Sequence, residues 1–374
     1  MDSERPFGTF RLSNRVEVML AIVVAALFIG CAYMFTSIHM NAAVPAGSVP
    51  SVTQVYQEYD NNDLTDALTT VNSILATDPN SIQALLAKAD VLEQIGSLDF
   101  QETQYGQQAI QVAQQVLTID PNNSDAYRLI GYAYEIMQQY PQAHTAYQEA
   151  ITLDPTNALA VAGDAHVYDL EGNMTQAKPE YEAALKLDPT STEAEEGLAR
   201  ADVYAGDLSD ALTLYTQIAN TPGNAEERAD AAYSAGQVDE SMGDYTDAQT
   251  FFTSSTTLDP TYAPGWTGLA SEIFRQAVAT STTLSGDERS ALAQQSMSDL
   301  QKAINLDPNE SLASFDLAGE LAAVGQTQSA IVILKALQGG IVENDITLSA
   351  DSKTAMMQKV TTALDALTAS SSIQ

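Results

Sequence analysis

The dipeptide Asp-Pro occurs at Asp78, Asp120, Asp154, Asp188, Asp259 and Asp307, with gaps of 42, 34, 34, 71 and 48 residues. The residue before a proline is pushed out of the α region, so each Asp-Pro stops a helix. Stops at near-constant spacing confine the chain to a row of similar helical units. The gap of 71 is nearly two units, and a degenerate copy ending at Asn220-Thr221-Pro222 fills it. The gaps of 42 and 48 are one unit plus an insertion. Self-similarity at such a period is the mark of a repeat architecture.

The clearest unit runs from Ser124 to Asn157. It reads as two short amphipathic helices joined by a tight turn. Tyr127, Ile130, Gly131 and Tyr134 share one face of the first helix, and Ala143, Tyr147, Ala150 and Leu153 share one face of the second. Gly131 and Ala143 are small enough to let the two backbones approach. Pro141 sits at a helix start, where its missing N–H costs nothing. Thr156 and Asn157 are placed to cap the following helix. This stretch resembles the tetratricopeptide repeat, a family with a period of about 34 residues.

The resemblance implies an all-α, right-handed α-solenoid of about eight helix pairs. Units start near Ser51, Ser81 and Ser124; the next keeps Tyr168, Gly172, Ala177, Tyr181 and Ala184; one ends near Pro222; and the last three start near Ala229, Ala263 and Ser311. Asp164 stands where the family usually has leucine, so its packing is an open question. Insertions at Ser97 to Gly106 and Thr280 to Asp287 are expected at inter-helix turns or as helix extensions. Gly339-Gly340 ends the last unit. Met356, Val360, Leu364 and Leu367 then repeat at helical spacing, which predicts a capping helix over 346–368 that covers the open end of the stack. Solenoid over 51–345 and frayed tail over 369–374 complete the division.

The N-terminus has a different character. Residues 1–17 are polar and carry Arg5, Arg11 and Arg15, and Val18 to Phe35 is then 18 residues without a charge. A spanning helix needs about 20 predominantly apolar residues, and Thr36 to Ile38 complete a transmembrane segment over 18–38. No Lys or Arg follows until Lys88, which predicts a cytoplasmic N-tail and an extracytoplasmic solenoid after a linker over 39–50. The same stretch also reads as a cleaved signal peptide, or as a lipoprotein signal ending at Cys31.

In the family, the first helix of each pair lines the concave side. The candidate binding positions are therefore Asp90, Glu93, Arg128, Tyr132, Glu135, His166, Asp169, Arg200, Tyr233, Gln237, Glu240, Phe274, Arg275 and Phe315. Arg128, Arg200 and Arg275 are suited to grip a partner's carboxylate, and Tyr132, Tyr233 and Phe274 to act as aromatic anchors. On this reading the chain is a non-enzymatic scaffold holding a peptide or helix in its groove. The plainer alternative is that each arginine neutralises a neighbouring acid, such as Asp125 or Glu135 for Arg128. A second functional reading is an accessory solenoid of a polysaccharide or secretion complex. It requires Tyr132, Tyr233 and Phe274 to lie close together with acids, forming a glycan or small-ligand site.

Charge excludes one class of partner. Asp and Glu number 49 against 15 Lys and Arg, and a phosphate backbone needs a basic stripe. Nucleic acid is therefore not expected. Cys31 is the only cysteine, so no internal disulfide can form, and His39, His144 and His166 are far apart in sequence. No catalytic, cofactor or metal motif is present. Asp60-Asn61-Asn62-Asp63 lacks the glycine and closing glutamate of a calcium loop and reads as a turn.

Overall fold

The computed structural model describes residues 50–98, 102–279, 284–342, 345 and 350–371. The predicted tail, the membrane span over 18–38 and the linker up to residue 49 lie outside the described residues. Among the described residues, no helix is long and apolar enough to cross a membrane.

Those residues form seventeen α-helices, sixteen of them in eight antiparallel pairs. The pairs are α1 (Val52–Asp60) with α2 (Leu64–Thr77), α3 (Ile82–Leu98) with α4 (Glu102–Ile119), α5 (Ser124–Ile136) with α6 (Tyr140–Leu153), and α7 (Ala158–Leu170) with α8 (Met174–Leu187). They continue with α9 (Thr192–Ala205) and α10 (Leu208–Asn220), α11 (Ala225–Met242) and α12 (Tyr245–Leu258), α13 (Ala263–Val278) and α14 (Gly286–Leu306), and α15 (Ser311–Ala323) and α16 (Thr327–Ala336). A wide turn over Leu337–Ile341 leads toward α17 (Ala350–Ser371). The sixth unit starts earlier than the sequence suggests, because α11 is extended back to Ala225 behind an Asn224 cap. Residues 99–101 and 280–283 of the two insertions lie outside the described residues; of the flanking helices, α14 reaches 21 residues.

Each Asp-Pro does more than stop a helix. The aspartate Oδ1 accepts the backbone N–H two residues on, at 2.9 Å from Thr156 to Asp154 and from Thr190 to Asp188, and at 2.8 Å from Thr261 to Asp259. The same contact recurs at Asp78, Asp120 and Asp307. The side chain thus mimics a turn of backbone while proline forbids another helical turn. Asn157 caps α7, accepting from Ala160 N at 3.1 Å. Thr156 does not share that role; its hydroxyl donates to Asp154 at 2.7 Å.

The core is built from aromatic rings wedged between small residues of two successive first helices. Tyr147 of α6 lies against Gly131 of α5 and Gly163 of α7, where an added Cβ would come within 2.8 and 2.5 Å of its ring. Phe252 of α12 is held in the same way by Gly236 and Gly268. Tyr181 packs against Gly197, where a Cβ would fall 2.2 Å from the ring. Absence of a side chain is what lets the ring reach the neighbouring backbone, and a filled interior is what stabilises such a stack.

One expectation needs correction and one open question is answered. The buried stripe of α5 is Ala126, Leu129 and Ala133, while Tyr127, Ile130 and Tyr134 are half-buried beside it. They line a hollow of about 420 Å³ together with Ala146 of α6. Asp164, in a leucine position, is fully buried yet well satisfied. His144 Nδ1 lies 2.5 Å from its Oδ1, and Gln148 donates to its Oδ2. His144 also stacks at 4.3 Å on Tyr168. One polar substitution in the core is thereby matched by a histidine and a glutamine on the facing helix.

At the C-terminal end, Met356, Val360 and Leu364 of α17 bury themselves against Leu334, Leu337 and Val342. The helix continues to Ser371, past the point where the sequence suggests a frayed tail.

Candidate functional site

The first helices of successive units touch one another from α1 to α9 and again from α11 to α15, whereas the second helices make no comparable contact among themselves. A stack that is tight along one edge and splayed along the other curves toward the tight edge. The concave face is therefore the first-helix face, and the fourteen candidate residues all sit on first helices.

The arginines do not present free forks. Arg128 of α5 donates from Nη2 to Asp90 of α3 at 3.0 Å, and Tyr56 of α1 donates to the same carboxylate at 2.9 Å. Arg200 of α9 donates to Asp169 of α7 at 3.0 and 2.8 Å, and to Glu196 at 2.5 Å. Arg275 of α13 bonds Glu240 of α11 at 3.0 Å and Glu272 at 3.1 Å, with its guanidinium 4.0 Å above the Tyr245 ring. Each arginine thus reaches back to an acid of the preceding first helix. Arg128 bypasses both Asp125 and Glu135, the partners suggested by proximity in sequence. Burial works against the Arg128 charge, but Asp90 and Glu93 outweigh it and push its pKa up.

The candidate residues gather in three hollows. Asp90, Glu93, Arg128, Tyr132, Glu135 and His166 share one of about 490 Å³. Here His166 Nδ1 lies 2.8 Å from Glu135, and the buried Tyr147 hydroxyl donates to the other Glu135 oxygen at 3.0 Å. Burial lowers the His166 pKa, but the Glu135 carboxylate reverses that and leaves it raised. Arg200, Gln237 and Glu240 line a second hollow of about 550 Å³, where α9 and α11 draw apart. Phe274, Arg275 and Phe315 line a third, of about 340 Å³, with Asp316 and Glu320. Asp169 lies outside all three as the partner of Arg200. Tyr233 is packed between Phe252 and Tyr262, with ring centroids 5.6 and 6.0 Å away. Tyr132, Tyr233 and Phe274 therefore occupy separate places and form no shared aromatic cluster.

Sequence reasoning missed Tyr59, Gln94, Leu159 and Glu193, which also line the first hollow. All four lie on first helices, so the pattern that found Asp90 and Glu93 could have found them. It also missed the buried acids of the C-terminal half. Burial raises Glu310 and Glu320 to about 7 and Asp316 to about 6. Each accepts a hydroxyl: Thr267 to Glu310 at 2.5 Å, Ser296 to Glu320 at 2.6 Å, and Ser271 to Asp316 at 3.1 Å. Among the described residues, no group of His, Cys, Asp and Glu is arranged to hold a metal ion.

Comparison with known proteins agrees with this geometry. Family models described as tetratricopeptide repeat match residues 124–157 and 165–191. No curated protein matches the chain in sequence. A crystal structure of the APC/C hetero-tetramer Cut9–Hcn1 is similar at a TM-score of 0.55 and 16% identity, over 79% of this chain and 52% of that one. The crystal structure of yeast Tom70 is similar at a TM-score of 0.50 and 16% identity, over 85% of this chain and 61% of that one. The chain thus spans less than two thirds of either structure's length. At such identity these likenesses speak to fold alone. Two matched repeats, set in a stack of eight like-built helix pairs, show that the chain carries tetratricopeptide repeats.

Proposed function

We propose that the chain is a non-enzymatic interaction scaffold that holds a segment of a partner protein along its concave face. The observation that carries this reading is the row of first helices, α1 to α9 and α11 to α15, with three hollows opening on it. Acids, tyrosines and phenylalanines are prominent among the lining side chains, and the cations there are matched by the chain's own carboxylates. The face is therefore suited to a basic or neutral segment rather than to the acidic one that free arginines would select.

Localisation forms part of the same proposal. The uncharged run over 18–38, preceded by three arginines, supports a single-pass anchor with the solenoid outside. Anchoring confines partners to one surface, so modest groove contacts suffice.

Photocrosslinking tests the scaffold reading. A crosslinkable residue at Leu159, exposed on the first-helix side, is compared with one at Val332 of α16, exposed on the second-helix side. The expected result is capture of a discrete protein from Leu159 and not from Val332. Equal capture from both, or none, refutes it. Protease added outside intact cells should cleave the solenoid; full protection refutes the topology.

A further inference from the structure

The hollow between α3, α5, α7 and α9 carries an imbalance that the fold does not resolve internally. It holds the cation Arg128 and the imidazole of His166 against four carboxyl groups, Asp90, Glu93, Glu135 and Glu193. Both are engaged, Arg128 by Asp90 at 3.0 Å and His166 by Glu135 at 2.8 Å. Glu93 is 2% exposed, and its Oε1 has no hydrogen-bond partner. A buried carboxyl oxygen without a partner is costly to keep. Tyr59 and Tyr132 also line the space, and phenol rings beside carboxylates are a favourable setting for an organic cation.

Resting on the concave-face reading above, we propose that this hollow takes a primary ammonium group, the side chain of a lysine on the partner segment, seated against Glu93. Burial, with Asp90 and Glu135 nearby, holds the Glu93 proton well above the usual carboxylic range, against the pull of Arg128. An entering cation would lower the cost of charging that buried acid. A metal ion fits less well, since the carboxylates other than Glu93 and Glu193 are already bound to side chains of the fold. An anionic group would have to compete with Asp90 for Arg128, although Arg128 Nε is itself buried without a partner. The volume, about 490 Å³, lies within the usual range for ligand pockets of ~300–1,000 Å³. That leaves room for the stem of a lysine and its neighbouring backbone.

The test uses the full chain in detergent and a fluorescein-labelled heptapeptide of alanine and glycine with one central lysine. Versions bearing acetyl-lysine or glutamate at that position serve as competitors. The lysine peptide should bind about tenfold or more tightly than the acetylated one, as expected for a desolvated charge pair. Glu93→Gln should remove that preference, and Tyr132→Ala should weaken it. Glu320→Gln, in the third hollow, should keep it. Far-UV circular dichroism establishes that each variant is folded. No lysine preference in the wild type, or a preference that persists in Glu93→Gln, overturns the proposal. Preference for glutamate overturns it in favour of Arg128. Capture from Leu159 separates the two readings. Capture that is insensitive to Glu93→Gln leaves the scaffold standing without the ammonium site. Lysine-specific peptide binding without any captured protein leaves the site standing without the scaffold.

Discussion

Replacing glycine by alanine within a helix normally stabilises it by about 1 kcal/mol, because alanine loses less backbone entropy on folding. The wedged rings predict that this sign reverses at Gly163. A Cβ there would lie 2.5 Å from the Tyr147 Cε1 and Cζ atoms, whereas carbon atoms prefer about 3.5–4.0 Å. The ring would have to retreat about 1 Å to restore that spacing. It cannot, because its other side meets Gly131, whose added Cβ would fall 2.8 Å away. Overpacking of this kind costs about 1–3 kcal/mol, which equals or exceeds the helical gain. Gly319 of α15 supplies the control: it is exposed, interior to its helix, and an added Cβ meets nothing within 4 Å. Gly319→Ala should therefore raise the urea midpoint while Gly163→Ala lowers it. The two should differ by about 1–3 kcal/mol, since the propensity gain is common to both and cancels. Replacing Tyr147 by leucine first should return Gly163→Ala toward the Gly319→Ala value. If Gly163→Ala stabilises the chain as much as Gly319→Ala, the ring does not fill the space assigned to it and the packing argument fails.

Tyr147→Phe keeps the ring but deprives Glu135 of a buried donor; the loss should be about 1.5–3 kcal/mol, as for a hydrogen bond to a charged group, and an unchanged unfolding midpoint would contradict it. His144→Ala takes one of two partners from the buried Asp164 and leaves Gln148, whereas Asp164→Leu releases a histidine that is 20% exposed and can rehydrate. The first change should be the more damaging, by at least about 1 kcal/mol, and equal losses in denaturation would refute the asymmetry. Glu310 and Glu320 hold their protons up to about 7 in the fold, against about 4.3 in an unfolded chain. Between those values the native state binds more protons, so stability is highest below about 4.3 and falls as pH rises through 7. Considering these two groups, urea midpoints should drop from pH 5 to pH 8, and the drop should shrink in Glu310→Gln and Glu320→Gln; the same drop in those variants would refute the assignment.

Much of this architecture was legible in the chain itself. Asp-Pro fixes helix ends locally, through a dihedral restriction and a side-chain turn, so Asp154, Asp188 and Asp259 announce their role without tertiary information. The apolar spacing of Met356, Val360 and Leu364 likewise implies a covering helix. What was hidden depends on pairs far apart in sequence. Asp164 looked like a packing fault because His144 and Gln148, its partners, are visible only once α6 and α7 are set together. The partner of Arg128 was hidden because Asp90 belongs to the previous unit, beyond the helix-spacing rules that suggested Asp125 or Glu135. Tyr127 and Tyr134 looked central because helical spacing gives a face but not its rotation relative to neighbours. For the candidate site, the sequence indicated which helices line the concave face, while the charge balance of each hollow emerged only from contacts between units.

The rings wedged between glycines bear on how such a chain can grow by copying. Tyr147 belongs to one helix pair, but one of the two surfaces holding it belongs to the next, and Phe252 is arranged in the same way. A duplicated segment therefore inherits half of each joint and must find the other half already present at its new border. Excision of the stretch 124–157 would bring the ring of an earlier unit, or its equivalent, against a glycine selected for Tyr147. Repeats with matching joints can be gained or lost without penalty, and those with mismatched joints cannot. The lineage of the array is thus written in which aromatic residue meets which glycine, more than in the helices between them.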